Sequence, residues 1–164
     1  MATVELPRPV ISVSVQEADF DVARLQASLL SGAAVEGAIA TFTGYVRCDN
    51  ENRQVEALEL EHYPGMTEAS ITAIVNEAAV RWPLLSAAVV HRVGKLAPGD
   101  QIVWVGTAST HRESAFSACE FVMDFLKTRA PFWKKEQSGA SAHWVAARET
   151  DDKRADRWRE GDTE

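Results

Sequence analysis

The sequence predicts an α+β domain with a largely antiparallel sheet. Stretches in which apolar and polar residues alternate recur in hairpin-like pairs. Between them stand longer stretches with the 3.6-residue apolar spacing of amphipathic helices. The resulting order is strand, helix, two strands, helix, two strands, helix, strand, and pairs of adjacent strands favour antiparallel neighbours. A length of 164 residues fits one domain with room for a real core. The expected organisation is a loose arm over 1–9, a folded domain over 10–150 and a charged tail over 151–164.

Each element has its own signal. Val10 to Val15 places Ile11, Val13 and Val15 on one side and Ser12 and Ser14 on the other, a half-buried strand. Asp19 to Leu30 carries Phe20, Ala23, Ala27 and Leu30 at helical spacing, and Gly32 is placed to stop the helix. Gly37 to Arg47 is rich in β-branched and aromatic residues and reads as a strand. Cys48 to Gln54 is polar and without period, a mobile loop. Val55 to His62 resumes as a strand with Leu58, Leu60 and His62 on one face, so the two strands around the loop are expected to pair.

Thr67 then caps a helix whose buried stripe is Ile71, Ile74, Val75, Ala78 and Trp82, ended by Pro83. Ala87 to Val93 is a strand, and Leu96-Ala97-Pro98-Gly99 is a turn of the type II order. Gln101 to Ser109 is apolar on both faces, which marks a central strand. His143 to Arg148 completes the set as a last short strand. Beyond Glu149 charge dominates, and a frayed helix or disordered tail is expected.

The composition is that of an ordinary globular protein, 46% apolar and 25% charged, with a net charge of −7. That balance argues against a broad nucleic-acid or anionic-membrane surface. Cys48 and Cys119 are too few for a disulfide framework and lack metal-ligand spacing. No apolar run approaches a membrane span and no signal-peptide core precedes the domain, so a cytoplasmic location is expected. His62, His91 and His143 are scattered, and no metal site or cofactor is expected.

Against the acidic background, Thr110 to Glu136 stands out. Thr110 and Glu113 have the spacing of a capping box, which puts His111 and Arg112 in the first helical turn, where free N–H groups favour an anion. Ala115, Cys119, Val122 and Leu126 stack on the buried side, flanked by Phe116, Ala118 and Met123, with Asp124 on the polar side. The helix ends near Pro131. Lys127, Arg129, Lys134 and Lys135 crowd its far end, with Phe132-Trp133 as an apolar anchor between them. Two readings of these cations stay open. They either complement the helix dipole, with an Asp124–Lys127 surface pair, or they form a pocket for an anion in which a lysine is pushed toward neutrality. Arg47 likewise is either an edge-strand arginine or a phosphate clamp.

Several longer motifs occur in a fixed order: Thr-Phe-Thr-Gly-x-Val-Arg (Thr41 to Arg47), Leu-Glu-His-Tyr-Pro-Gly-Met (Leu60 to Met66), His-Arg-x-Gly (His91 to Gly94), Pro-Gly-Asp (Pro98 to Asp100), His111-Arg112, and Leu126 to Glu136. From about residue 10 to Trp158 the chain resembles the large, catalytic subunit family of molybdopterin synthase. The resemblance implies an α/β hammerhead with an added antiparallel sheet subdomain. It implies a sulfurtransferase of molybdenum-cofactor biosynthesis. A small ubiquitin-like partner would deliver sulfur as a thiocarboxylate on its C-terminal Gly-Gly tail to cyclic pyranopterin monophosphate, and the dithiolene would form in two rounds. Large subunits would form a central homodimer with one partner at each end, a heterotetramer.

Carried over by motif, Lys127 and Lys134 would be catalytic. Tyr45, Val46, Arg47, His111, Arg112, Lys127, Lys134, Lys135, Glu136 and Arg148 would bind substrate, Arg148 by reaching the neighbouring subunit's site. Tyr45 departs from the lysine more common at that place. Two rivals remain at this stage, a non-catalytic phosphate-binding or partner-docking module of the same fold and a Cys48-dependent thiol transferase. A helix of some fifteen residues is roughly 22 Å long, so both ends meet one ligand only if the chain folds back, and Pro131 is the expected corner.

Overall fold

The computed structural model describes residues 7–146 and 148–159. In order, the chain forms β1 (Val10–Gln16), α1 (Val22–Ser28), β2 (Ala38–Tyr45), β3 (Asp49–Asn50), β4 (Arg53–Gln54), β5 (Ala57–His62) and α2 (Met66–Arg81). It continues with β6 (Leu84–Arg92), β7 (Gly94–Leu96), β8 (Gln101–Ser109), α3 (Arg112–Arg129), β9 (Phe132–Ser138), β10 (Ser141–Val145) and α4 (Glu149–Asp156). Among the described residues no helix is long and apolar enough to cross a membrane.

The fold class is α+β, as expected. One four-stranded sheet has the order β1-β6-β8-β2, parallel between β1 and β6 and antiparallel elsewhere. A second, wholly antiparallel sheet has the order β10-β9-β5-β7. β8 lies inside the first sheet, and its apolar residues on both faces follow from that position. Val103 and Val105 pack under α2 and α3 with Ile71, Val75, Phe121 and Val122. Trp104 and Ala108 pack on the opposite face with Leu29, under α1. Val46, Leu58, Leu60, Val93 and Leu96 form a smaller core in contact with Val15, Ile102 and Phe132, where the two sheets meet.

Several expectations are corrected. The strands flanking the Cys48 to Gln54 segment do not pair: β2 runs along β8 while β5 joins β9 and β7. The segment is itself a hairpin, β3–β4, turned by Glu51 and Asn52 at φ 49° and 64°. That is the left-handed pair a two-residue hairpin turn requires. α1 is shorter than its sequence suggests, and its inward side is Phe20, Val22, Leu25 and Leu29, with Leu30 exposed. On α3, Phe116 is exposed and Asp124 is buried.

Asp124 is buried because the charged tail, expected as a frayed helix or a disordered segment, folds back on it as a helix. α4 starts at Glu149, before the anticipated boundary at 151, and buries Ala155 against α3. Arg154 Nε and Arg157 Nη2 donate to Asp124 at 3.3 and 2.8 Å, and Trp158 Nε1 donates at 2.7 Å. The Trp158 ring packs edge-on against Trp82 and Phe121. Of the predicted terminal segments, 1–6 and 160–164 lie outside the described residues.

The join between β8 and α3 is close. Gly37 N–H donates to Ser109 O at 3.0 Å, and a Cβ on Gly37 would stand 2.0 Å from the Thr110 carbonyl oxygen. Backbone cannot swing aside as a flexible side chain can. Gly37→Ala is therefore expected to cost about 1–3 kcal/mol in denaturant unfolding. An unchanged midpoint would mean that β2 shifts freely.

Candidate active site

Three of the six sequence motifs, Thr41 to Arg47, His91 to Gly94 and Leu126 to Glu136, contribute to a cavity of about 590 Å³ between the two sheets and the C-terminal end of α3. Its walls are built locally. Val46 N–H donates to Asp100 O and Gly99 N–H to Val46 O, so the Pro-Gly-Asp turn fixes the chain that presents Tyr45, Val46 and Arg47. α3 supplies Met123 and Lys127. The helix then stops because a residue before proline is pushed out of helical backbone, and Ala130 is extended at φ −78° and ψ 128°. Thr67 Oγ1 donates to Pro131 O at 3.1 Å and pins this corner to α2. The chain folds back at Pro131, as the helix length demanded, and enters β9.

The alternation of β9 then sorts the next residues. Phe132, Lys134 and Glu136 face the cavity. Lys135 does not: its Nζ lies 5.6 Å from the centroid of the Trp144 ring, outside the cavity lining. Arg129 is also diverted, paired with Glu77 and stacked over Phe125. Asp124 is occupied by α4, so the Asp124–Lys127 surface pair does not form.

His111 and Arg112 are likewise absent from the lining. The capping box is not made either. β8 runs to Ser109 and the N-cap is His111, with no side-chain cap bond, so Thr110 stands one residue too early. From His111 to Lys127 the helix spans about 24 Å, and within one chain its two ends serve different surfaces. Arg148, by contrast, lines the cavity of its own chain.

Lys134 is the electrostatically distinctive group. Burial and then the nearby Lys127 charge push its pKa down from 10.5 to about 8. Arg148 adds to the fall and Asp151, also on the cavity wall, opposes it. At pH 7 roughly a tenth of Lys134 is then neutral. The pocket reading of the cations is therefore the one the geometry favours, with Lys127 and Lys134 lining the same cavity.

The sequence reading passed over other members of the lining. His91 is buried on β6, with its ring stacked on Phe132 at 3.8 Å. Its Nδ1 lies 2.8 Å from Arg92 O, a pure acceptor, so Nδ1 carries the proton and Nε2 the lone pair. Burial, with smaller contributions from Lys134 and Lys127, lowers its pKa to about 3, and the ring is neutral. Histidine spacing gave no hint of this, because the partner is an aromatic residue on another strand. Asn50, Asp49 and Asp151 also line the cavity, and Cys48 does not. Cys119 is core as expected, and burial pushes its thiol up to about 12.

Residues 15–129 match the family model described as MoaE protein. The chain is 54% identical over 147 residues to the molybdopterin synthase catalytic subunit of Ralstonia nicotianae, covering 90% of this chain and 84% of that protein. Its fold is similar to that of molybdopterin cofactor biosynthesis protein E from Burkholderia multivorans, with a TM-score of 0.77, 52% identity and coverage of 92% of this chain and 97% of that one. It is also similar to the crystal structure of molybdopterin synthase from Staphylococcus aureus, with a TM-score of 0.76, 28% identity and coverage of 81% and 96%. A family model over more than half of the chain and relatives above half identity across most of their length lead to one conclusion: the chain belongs to the MoaE protein family.

Proposed function

We infer that this chain is a sulfurtransferase, the catalytic subunit of a molybdopterin synthase. It takes sulfur from the thiocarboxylated C-terminus of a small ubiquitin-like partner and delivers it to cyclic pyranopterin monophosphate, forming the dithiolene. The observation that carries this reading is one cavity lined together by Lys127, Lys134, Arg47 and Arg148. Two anions must meet there, a phosphate-bearing pterin and a thiocarboxylate. A cluster of cations lowers the cost of bringing them together and holds them in reacting geometry.

The tail sulfur attacks a carbonyl-level carbon of the pterin side chain, the C–S bond forms as that carbon's C–O bond breaks and the oxygen leaves as water, and the tail stays joined to the pterin as a thioester. Water then attacks the acyl carbon, the acyl C–S bond breaks, sulfur stays on the pterin and the tail leaves as a carboxylate. That second step needs a proton acceptor, and a lysine with a pKa of about 8 has a usable neutral fraction near physiological pH. Arg47 and Arg148 take the substrate phosphate, with Tyr45, Val46 and Glu136 shaping the wall.

The cytoplasm is the proposed location, and a homodimer carrying one small partner at each end is the proposed assembly. In that assembly His111 and Arg112 act on a ligand held mainly by a second copy, since their own cavity is out of reach. The test combines the protein, a thiocarboxylated partner and cyclic pyranopterin monophosphate, and scores dithiolene. Wild type is expected to turn over, and inactivity with a competent partner would sink the reading. Cys48→Ala is expected to keep its rate, because Cys48 is exposed and off the cavity wall.

A further inference from the structure

We propose that Asn50 is a positioning residue that holds Arg148 ready for the substrate phosphate and keeps Glu136 from neutralising it. The proposal rests on the sulfur-transfer reading and names a residue that the motifs do not single out. Asn50 sits on the β3–β4 hairpin, remote in sequence from both partners. Its Nδ2 donates to Glu136 Oε1 at 2.7 Å, and its Oδ1 accepts from Arg148 Nη2 at 2.8 Å. The chemistry of the partners fixes this orientation of the amide. A carboxylate only accepts and a guanidinium only donates, so the Asn50 nitrogen must face Glu136 and its oxygen Arg148.

Left alone, an arginine and a glutamate on one cavity wall favour a bidentate ion pair. That pair would consume the donors an incoming phosphate needs. Among the described residues neither Glu136 nor Arg148 is in an ion pair. The amide stands between them and uses one donor of Arg148, whose other donors have no partner among the described residues, on the wall that Arg47 shares. The hairpin is held for this task. Val55 N–H donates to Cys48 O at 2.8 Å, and Glu56 N–H donates to Gln137 O on β9 at 2.8 Å. Asn50 is thus fixed relative to the strand that carries Lys134 and Glu136.

The experiment measures calorimetric binding of cyclic pyranopterin monophosphate to the full chain, alongside turnover with thiocarboxylated partner. Asn50→Leu keeps the side chain's size and removes both bonds. Its Kd is expected to rise about tenfold, with the catalytic loss in KM rather than kcat. Asn50→Asp, a change of one group, hands Arg148 a carboxylate and repels Glu136, and is expected to weaken binding at least as much. In an Arg148→Ala background, Asn50→Leu is expected to add nothing, because the two residues act as one unit.

An Asn50→Leu protein that binds like wild type overturns the proposal. So does an equal loss in the Arg148→Ala background, which would mark a merely structural hairpin contact. Wild type that binds the pterin but never turns over sinks the sulfur-transfer reading alone and leaves the Asn50 coupling standing. Wild type that binds no pterin phosphate overturns both.

Discussion

Lys134→Met is expected to lower the rate of dithiolene formation by roughly 10²–10⁴-fold, the range for losing a positioned proton-transfer group. Methionine keeps the length of the side chain and fills the same wall, so the loss reports the amine. The wild-type rate is expected to rise with pH through about 8, as Lys134 gives up its proton, and then level off. Because the neighbouring Lys127 charge helps depress that pKa, Lys127→Met is expected to move the rising limb to higher pH as well as slow the reaction. Single-turnover rates across the range from about pH 6.5 to 9.5 check all three statements. A Lys134→Met enzyme within about tenfold of wild type would remove the lysine from the chemistry. A limb that falls rather than rises through pH 8 would make Lys134 the proton donor.

The second large effect is on stability. Asp124 is almost fully buried and accepts from Arg154, Arg157 and Trp158 at once. Asp124→Ala leaves the Trp158 indole N–H without its acceptor and leaves Arg154 and Arg157 with Glu120 alone, in a wall built around the lost carboxylate. Breaking one side of a buried ionic cluster costs about 3–5 kcal/mol. Both arginines keep Glu120 and partial access to water, so the lower end of that range is expected. Asp124→Asn, which still accepts from Trp158, is expected to lose less. Equilibrium unfolding gives the cost, and hydrogen exchange shows where it falls, with α4 amides losing protection first. Since Arg148 and Asp151 flank the start of α4, substrate binding should weaken in parallel. Equal stability of wild type and Asp124→Ala would mean that α4 is held by Ala155 and Trp158 alone.

Much of this molecule was legible in the sequence, and the remainder was hidden for physical reasons. Local periodicity revealed β1, α2, β6, β8 and α3, because each buries a face whose spacing is written in adjacent residues. Lys127, Lys134 and Arg47 were legible as cations out of place in an acidic chain, and they do share a cavity. β9 was missed because half of it faces a polar cavity: Lys134 and Glu136 occupy positions that an apolar core would otherwise claim. The partition of β2 and β5 between two sheets was invisible, since pairing with β8 and β9 involves residues far along the chain. The misplacement of Thr110 was one of register, a single residue of extra strand before the helix. Lys135 turns to the side opposite Lys134, because neighbouring strand residues point to opposite sides, which a motif read as a string ignores.

The fold-back at Pro131 also dictates a timetable. The wall that carries Lys134, Glu136, Arg148 and Asp151 comes from the last stretch of the chain, after the first sheet and its helices have already been synthesised. β5 meets β7 early but must wait for β9, and Asp124 stays exposed until α4 arrives. A nascent chain therefore completes its cation cluster late, when most of its hydrophobic centre has already been synthesised. Shortening the gene from its 3′ end should abolish the cavity well before it abolishes the fold.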